Sequence, residues 1–264
     1  MTKKQFWNQL LLFVTALLLI LITRESLSYL FIQKNIESYA IHTLLNICAN
    51  LILIVVSYFF IQKNKLGKLA GLQKGSVNKW YLLLFPLLYL VLLNVLIIDV
   101  VDIQTLLPNV FLFLFYSISI GFAEELSIRG FLQSHLINYL GNSRKNTIIS
   151  VFLAALFFGA IHLLNFDTGI YGELAQLIYA TFIGVMFGFL LVITKRLYPL
   201  IIIHAIIDFV ADLDVVGMPI KEKISELMSL ETAALITVLA LPCFIYGLFL
   251  MKKYKLTATT VHNV

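Results

Sequence analysis

Charge is what this sequence has least of. Only 12% of its 264 residues are Asp, Glu, Lys or Arg, whereas 61% are hydrophobic and the mean hydropathy is +0.96. That balance excludes a soluble domain with a polar exterior. Cysteine is nearly absent: Cys48 and Cys243 both sit in apolar runs, where a thiol behaves as a small hydrophobe, so neither a disulfide framework nor a cysteine zinc cluster is expected. No internal repeat and no soluble domain is visible, and no organic cofactor is expected. The first apolar run, behind Lys3 and Lys4, ends in LITRESLSY without a small-residue cleavage pattern, which predicts an uncleaved anchor rather than a signal peptide.

What fills the chain is apolar runs of membrane-crossing length. Eight fall at roughly 6–23, 40–62, 80–98, 107–124, 147–165, 174–194, 197–211 and 232–251, predicting an all-α, polytopic transmembrane bundle in a lipid bilayer. With the N-terminus in the cytoplasm, strict alternation leaves only Arg24, Lys34, Lys221 and Lys223 of the 19 Lys and Arg residues outside. The basic excess is thus accounted for by topology, and nucleic acid is not an expected partner. Both termini are expected in the cytoplasm, and short loops without a second domain suggest a bacterial plasma membrane.

The acids invert this pattern, because nearly all fall in outer loops or at outer helix ends. Glu124, Glu125 and Asp208 do not. Intramembrane ionisable groups are costly unless they face a partner or a watery cavity, so their default reading is functional. His162, in FFGAIHLLNF, and His204, in LIIIHAIIDF, also lie deep in apolar segments. Glu125 and Arg129 share a helical face, as do Phe158 and His162, and His204 and Asp208. The glutamate helix is expected to continue through FLQSHLINYL near the interface and to turn at Gly141–Ser143. At ~1.5 Å rise per residue, Glu124 and His162 are then nearly level across that hairpin, and His204 lies roughly 12 Å from the end of its own span. All three segments can meet, and the expected meeting place is a cytoplasm-facing cavity.

A glutamate near an imidazole in a low-dielectric pocket can act as general base for water. His and carboxylate side chains equally suit Zn2+, with Glu124, His162 and His204 as candidate ligands. Both schemes lead to hydrolysis, with Arg129 holding Glu125 and Phe158 packing against the wall of the site. Glu124, about 100° around the helix from Glu125, is the one assigned to the water. Taken singly, the Glu125–Arg129 pair reads as well as a structural ion pair, and each histidine as a satisfied bundle residue. His42 and His135 have no nameable partner.

The motifs EELSIR (Glu124, Glu125, Arg129), FGAIH (Phe158, His162) and HAIID (His204, Asp208), in this order on separate spans, resemble the CAAX protease and bacteriocin-processing family, also called CPBP or Abi. The resemblance implies an intramembrane endopeptidase related to the type II CAAX prenyl endopeptidase, acting on a membrane-associated peptide or protein, with processing or immunity roles among bacterial members. It implies that Glu124 activates water together with His162, while His204 and Asp208 face the scissile carbonyl and its oxyanion. Where members carry Asn, this chain carries Asp208, which orients His204, stays protonated or binds a metal. The core of the resemblance is 107–211, flanked by N-terminal spans over 1–106 and by a loop, last span and tail over 212–264. The competing readings are a catalytically silent scaffold or sensor and, last, a proton-linked transporter, for which no internal symmetry is seen.

Overall fold

A computed structural model describes residues 1–164, 169–221 and 227–254; Lys223 lies outside them. The backbone follows from what lipid demands, since every N–H and C=O must be satisfied within its own segment, and long apolar runs therefore become helices. In order these are α1 (Lys3–Gln33), α2 (Tyr39–Lys63), α3 (Leu84–Ile97, entered by a 3-10 turn at Trp80–Leu83), α4 (Ile103–Glu125), a π-helical stretch (Leu126–Gln133), α5 (Ser134–Leu140), α6 (Arg144–Ile161), a 3-10 turn (His162–Leu164), α7 (Gly169–Thr194), α8 (Tyr198–Ala211) and α9 (Leu230–Lys253). No β-strand occurs among the described residues. Side-chain caps fix several starts: Thr2, Asp102, Ser143 and Ser229 accept from Gln5 N, Gln104 N, Asn146 N and Thr232 N.

The eight expected spans map onto these segments, with one difference. Seven are long and apolar enough to cross a membrane, whereas α8 has 14 residues and, at ~1.5 Å each, is too short for a core about 30 Å thick. A tight turn at Lys195, with φ 61°, and Pro199 in the first helical turn start α8 directly after α7. Ile103–Leu140 runs as one 38-residue helical rod, so the glutamate helix does continue beyond the membrane span. It turns at Gly141, with φ 95°, into α6.

α7 is the central helix, with every residue from Ile183 to Thr194 buried, and it packs against α6 and α9. α4 packs between α2 and α8, α3 lies against α8, and α1 is peripheral, burying only Phe6, Phe13 and Leu17. The two ends of the bundle are chemically distinct. At one, the Arg196 guanidinium donates to the carbonyls of Gln73, Lys74, Gly75 and Ser76, and Arg144 donates to those of Met251 and Tyr254. At the other, Asp99 N donates to Asp214, Ile220 N donates to the Glu37 carbonyl, and Lys221 pairs with Glu37 at 3.4 Å. The loop cations thus gather at the first end, and the loop acids at the second.

Candidate functional site

α4, the π-helical stretch and α8 carry Glu125, Arg129 and His204, which the bundle buries. Glu125 and Arg129, both 0% exposed, are joined by Arg129 Nη1 donating to Glu125 Oε1 at 2.9 Å. The same oxygen accepts from His204 Nδ1 at 2.8 Å, tying α4 to α8. Because that carboxylate oxygen accepts, His204 must carry its proton on Nδ1. Its Nε2 is then directed toward Glu124 Oε2 at 3.4 Å and Asp208 Oδ2 at 3.7 Å. His204 is therefore the hub, with the buried glutamate behind it and two carboxylates in front.

Close packing of α8 onto α4 is what allows this. A Cβ on Gly121 would stand 2.7 Å from the Ile201 carbonyl oxygen, so only glycine admits this approach one turn above Glu125. The Arg129 guanidinium lies between two rings, 4.6 Å from the centre of Phe158 and 5.4 Å from that of Phe187, which offset part of the cost of a buried cation. Phe158 also meets His162 edge-on at 4.8 Å. Its carbonyl accepts from His162 Nδ1 at 2.7 Å, which leaves Nε2 of that histidine as the acceptor nitrogen.

One correction concerns local geometry. The motif EELSIRGF continues from α-helix into π-helix, with Ser134 Oγ donating to the carbonyl of Arg129 five residues back. All of Leu126–Gln133 is buried, and Ser127 is held to Ser57 of α2 at 2.8 Å. A π turn widens the helix and is common where function requires an unusual side-chain spacing.

Glu124, Phe158, His162, His204 and Asp208 all line one cavity of about 440 Å³, while Glu125 and Arg129 stand behind its wall. A second, smaller cavity of about 100 Å³, between α1, α4 and the end of α6, also reaches Glu124 and His162. Glu124 is thus the accessible member of the pair, with 29% of its side chain exposed against 0% for Glu125. Asp208 Oδ2 is buried and has no hydrogen-bond partner among the described residues.

The lining of the main cavity extends to one end of the bundle: Arg24, Glu25, Ser28 and Asp212 are among its residues, and they sit toward the acid-bearing end. Composition placed the site at a common depth but carried no information on which way its wall opens. The Asp212 carboxyl, just beyond α8, is pushed above the ordinary carboxylate range by burial and then by neighbouring Asp214.

The metal fit is poor. Among the described residues no three His, Cys, Asp or Glu side chains are grouped as a ligand set; Nδ1 of each candidate histidine is hydrogen-bonded, and Nε2 of each faces the cavity. No step below is routed through a metal. Two of the three other histidines have partners, and His262 lies outside the described residues: His42 contacts Ser28 Oγ at 3.0 Å and the Ile36 carbonyl at 2.8 Å, and His135 stacks on Phe6 and Phe131. Arg24, Asn50, Tyr116, Tyr179 and Phe187 are site-lining residues that sequence reasoning missed, since each reads as an ordinary span or interface residue.

Compared with known proteins, residues 106–210 match the family described as Type II CAAX prenyl endopeptidase Rce1-like, a segment that contains all three motifs. No curated protein and no solved structure matches the chain.

Proposed function

We propose that this chain, whose residues 106–210 are similar to the type II CAAX prenyl endopeptidase family, hydrolyses a peptide bond of a membrane-associated peptide or protein with water activated by Glu124. The observation that carries this reading is the asymmetry of the adjacent glutamates: Glu125 is sealed between Arg129 and His204, while Glu124 faces the cavity beside His162 and His204.

In this mechanism the Glu124 carboxylate and the acceptor Nε2 of His162 hold a water, and Glu124 takes its proton as the oxygen attacks the scissile carbonyl. The resulting oxyanion is met by His204, whose Nε2 donates when protonated while Nδ1 stays anchored on Glu125. Glu124 then delivers the proton to the departing amine, so that water and amide yield acid and amine. Arg129 touches nothing that reacts. It pairs with Glu125, and Glu125 in turn fixes the orientation and tautomer of His204.

Asp208 completes the front of His204. Its Oδ2 lies 3.7 Å from His204 Nε2, which supports an orienting role toward the imidazole. Zinc bound to Glu124, His162 and His204 is the competing proposal. A metal-content measurement on purified wild type and His204→Ala decides it, and equal, substoichiometric metal in both favours the metal-free scheme.

The test is a comparison of membrane proteomes from cells carrying wild type or Glu124→Gln at equal abundance. New peptide termini that depend on wild type are expected. Their absence under every growth condition would leave a silent scaffold as the account of this chain. A role in peptide maturation or bacteriocin immunity belongs to the same proposal, and the identity of the cleaved protein decides it.

A further inference from the structure

The cavity has a charge of its own that hydrolysis does not require. Among the described residues its lining carries four carboxylates, Glu25, Glu124, Asp208 and Asp212, against one guanidinium, Arg24. That guanidinium is already committed, since Arg24 Nε donates to Glu25 Oε1 at 2.9 Å. Two of the carboxylates, Glu25 and Asp212, have no part in the proposed chemistry and stand at the acid-bearing end of the bundle, where Glu25 shares its charge with Arg24 and Asp212 does not. One oxygen of Asp208, on the same wall, accepts no hydrogen bond among the described residues. Walls of apolar helix concentrate such a field, because low-dielectric surroundings focus the potential into the water-filled cleft.

The opposite end offers the reverse. Lys63, Lys65, Lys68, Lys74, Lys79 and Arg196 lie in or beside its loops, and no described carboxylate joins them. A cationic ligand is repelled there and attracted at the acid-bearing end.

Resting on the hydrolase reading, we propose that the substrate is a cationic peptide segment that approaches from the face opposite the Lys-rich loops and places Lys or Arg beside the scissile bond, against Glu25 and Asp212. With the Lys-rich loops in the cytoplasm, as the distribution of cations favours, that face is the outer one. An outward-facing protease of this kind acts on peptides arriving from outside or on the outer flanks of membrane proteins, and is shielded from cytoplasmic ones.

The test uses purified full-length protein in liposomes sorted so that the Lys-rich loops are inside, as judged by resistance of those loops to external trypsin. Randomised octapeptides in three pools, of net charge about +2, 0 and −2, are added outside and their products read by mass spectrometry. The cationic pool should be cleaved at least about tenfold faster than the anionic pool at low salt, in the range expected for electrostatic steering. The gap should shrink at high ionic strength, where charges beyond about 3 Å are screened at 1 M salt. It should also narrow in Glu25→Gln/Asp212→Asn. Equal cleavage of the pools, a gap indifferent to both salt and the double substitution, or cleavage confined to liposomes of the opposite orientation would overturn the proposal while leaving a hydrolase. Cleavage of no pool in either orientation would overturn the hydrolase reading with it.

Discussion

Replacing Glu125 with Gln isolates what its charge contributes, because the amide oxygen can still accept from Arg129 Nη1 and His204 Nδ1 in the positions that Oε1 now holds. What is lost is the counter-charge of a guanidinium that is 0% exposed and confined between Phe158 and Phe187. Leaving a buried ion unpaired costs roughly 3–5 kcal/mol. The same change at Glu124 removes a carboxylate that is 29% exposed and 3.4 Å from His204 Nε2, with a stability effect expected within about 1 kcal/mol. Thermal unfolding of both variants in one detergent should show a large drop in Tm for Glu125→Gln and almost none for Glu124→Gln. Cleavage should behave differently, falling about 10²–10⁴-fold in Glu124→Gln, the usual contribution of a general base. A second substitution, Arg129→Met, should restore much of the stability of Glu125→Gln by removing the stranded cation, although not its activity. Equal destabilisation by the two glutamine variants, or an additive loss in the double variant, would refute this division of labour.

Other outcomes follow from the same geometry. Gly121→Ala should push α8 from α4, since its Cβ would stand 2.7 Å from the Ile201 carbonyl oxygen, and activity should fall well before helical content measured by circular dichroism. Asp208→Asn should keep cleavage within about tenfold, because the amide oxygen still faces His204, whereas Asp208→Leu should lose it; peptide turnover by the two variants compares them. Ser57→Ala should cost about 0.6 kcal/mol and at most about 1.7, the range for hydrogen bonds between membrane helices, as measured by the Tm shift. Asp212 binds its proton more tightly folded than unfolded, so its contribution favours folding at low pH and is lost as pH rises from about 4 through its raised value. A plot of Tm against pH should accordingly decline less over that window in Asp212→Asn than in wild type.

Much of the site was legible because helix periodicity is short-ranged. The Glu125–Arg129 pair and the His204–Asp208 approach are both four-residue neighbours, and both occur, at 2.9 Å and 3.7 Å. The common depth of Glu124 and His162 followed from counting residues to the turn at Gly141, and both line the same cavity. The π-helical stretch was not legible, since one extra residue in a turn leaves the hydrophobic pattern nearly unchanged over eight residues. Neither was Phe187, whose stacking on Arg129 depends on how α7 is rotated in the bundle. His42 and His135 escaped because they contact the backbone carbonyls of Ile36 and Phe6, and carbonyls leave no mark in a sequence. The cavity lining at Arg24 and Asp212 draws on the first helix and the last loop before α9, a long-range arrangement that hydropathy cannot encode.

The central claim, that Glu124 activates water against a peptide bond, is tested most directly by isotope. Purified wild type and Glu124→Gln are incubated with a randomised peptide library in water enriched in oxygen-18, and the newly formed C-terminal carboxyls are weighed by mass spectrometry. The account predicts new termini carrying solvent-derived oxygen with wild type and a loss of at least about a hundredfold with Glu124→Gln. New termini formed equally by both proteins, or by neither, would contradict it.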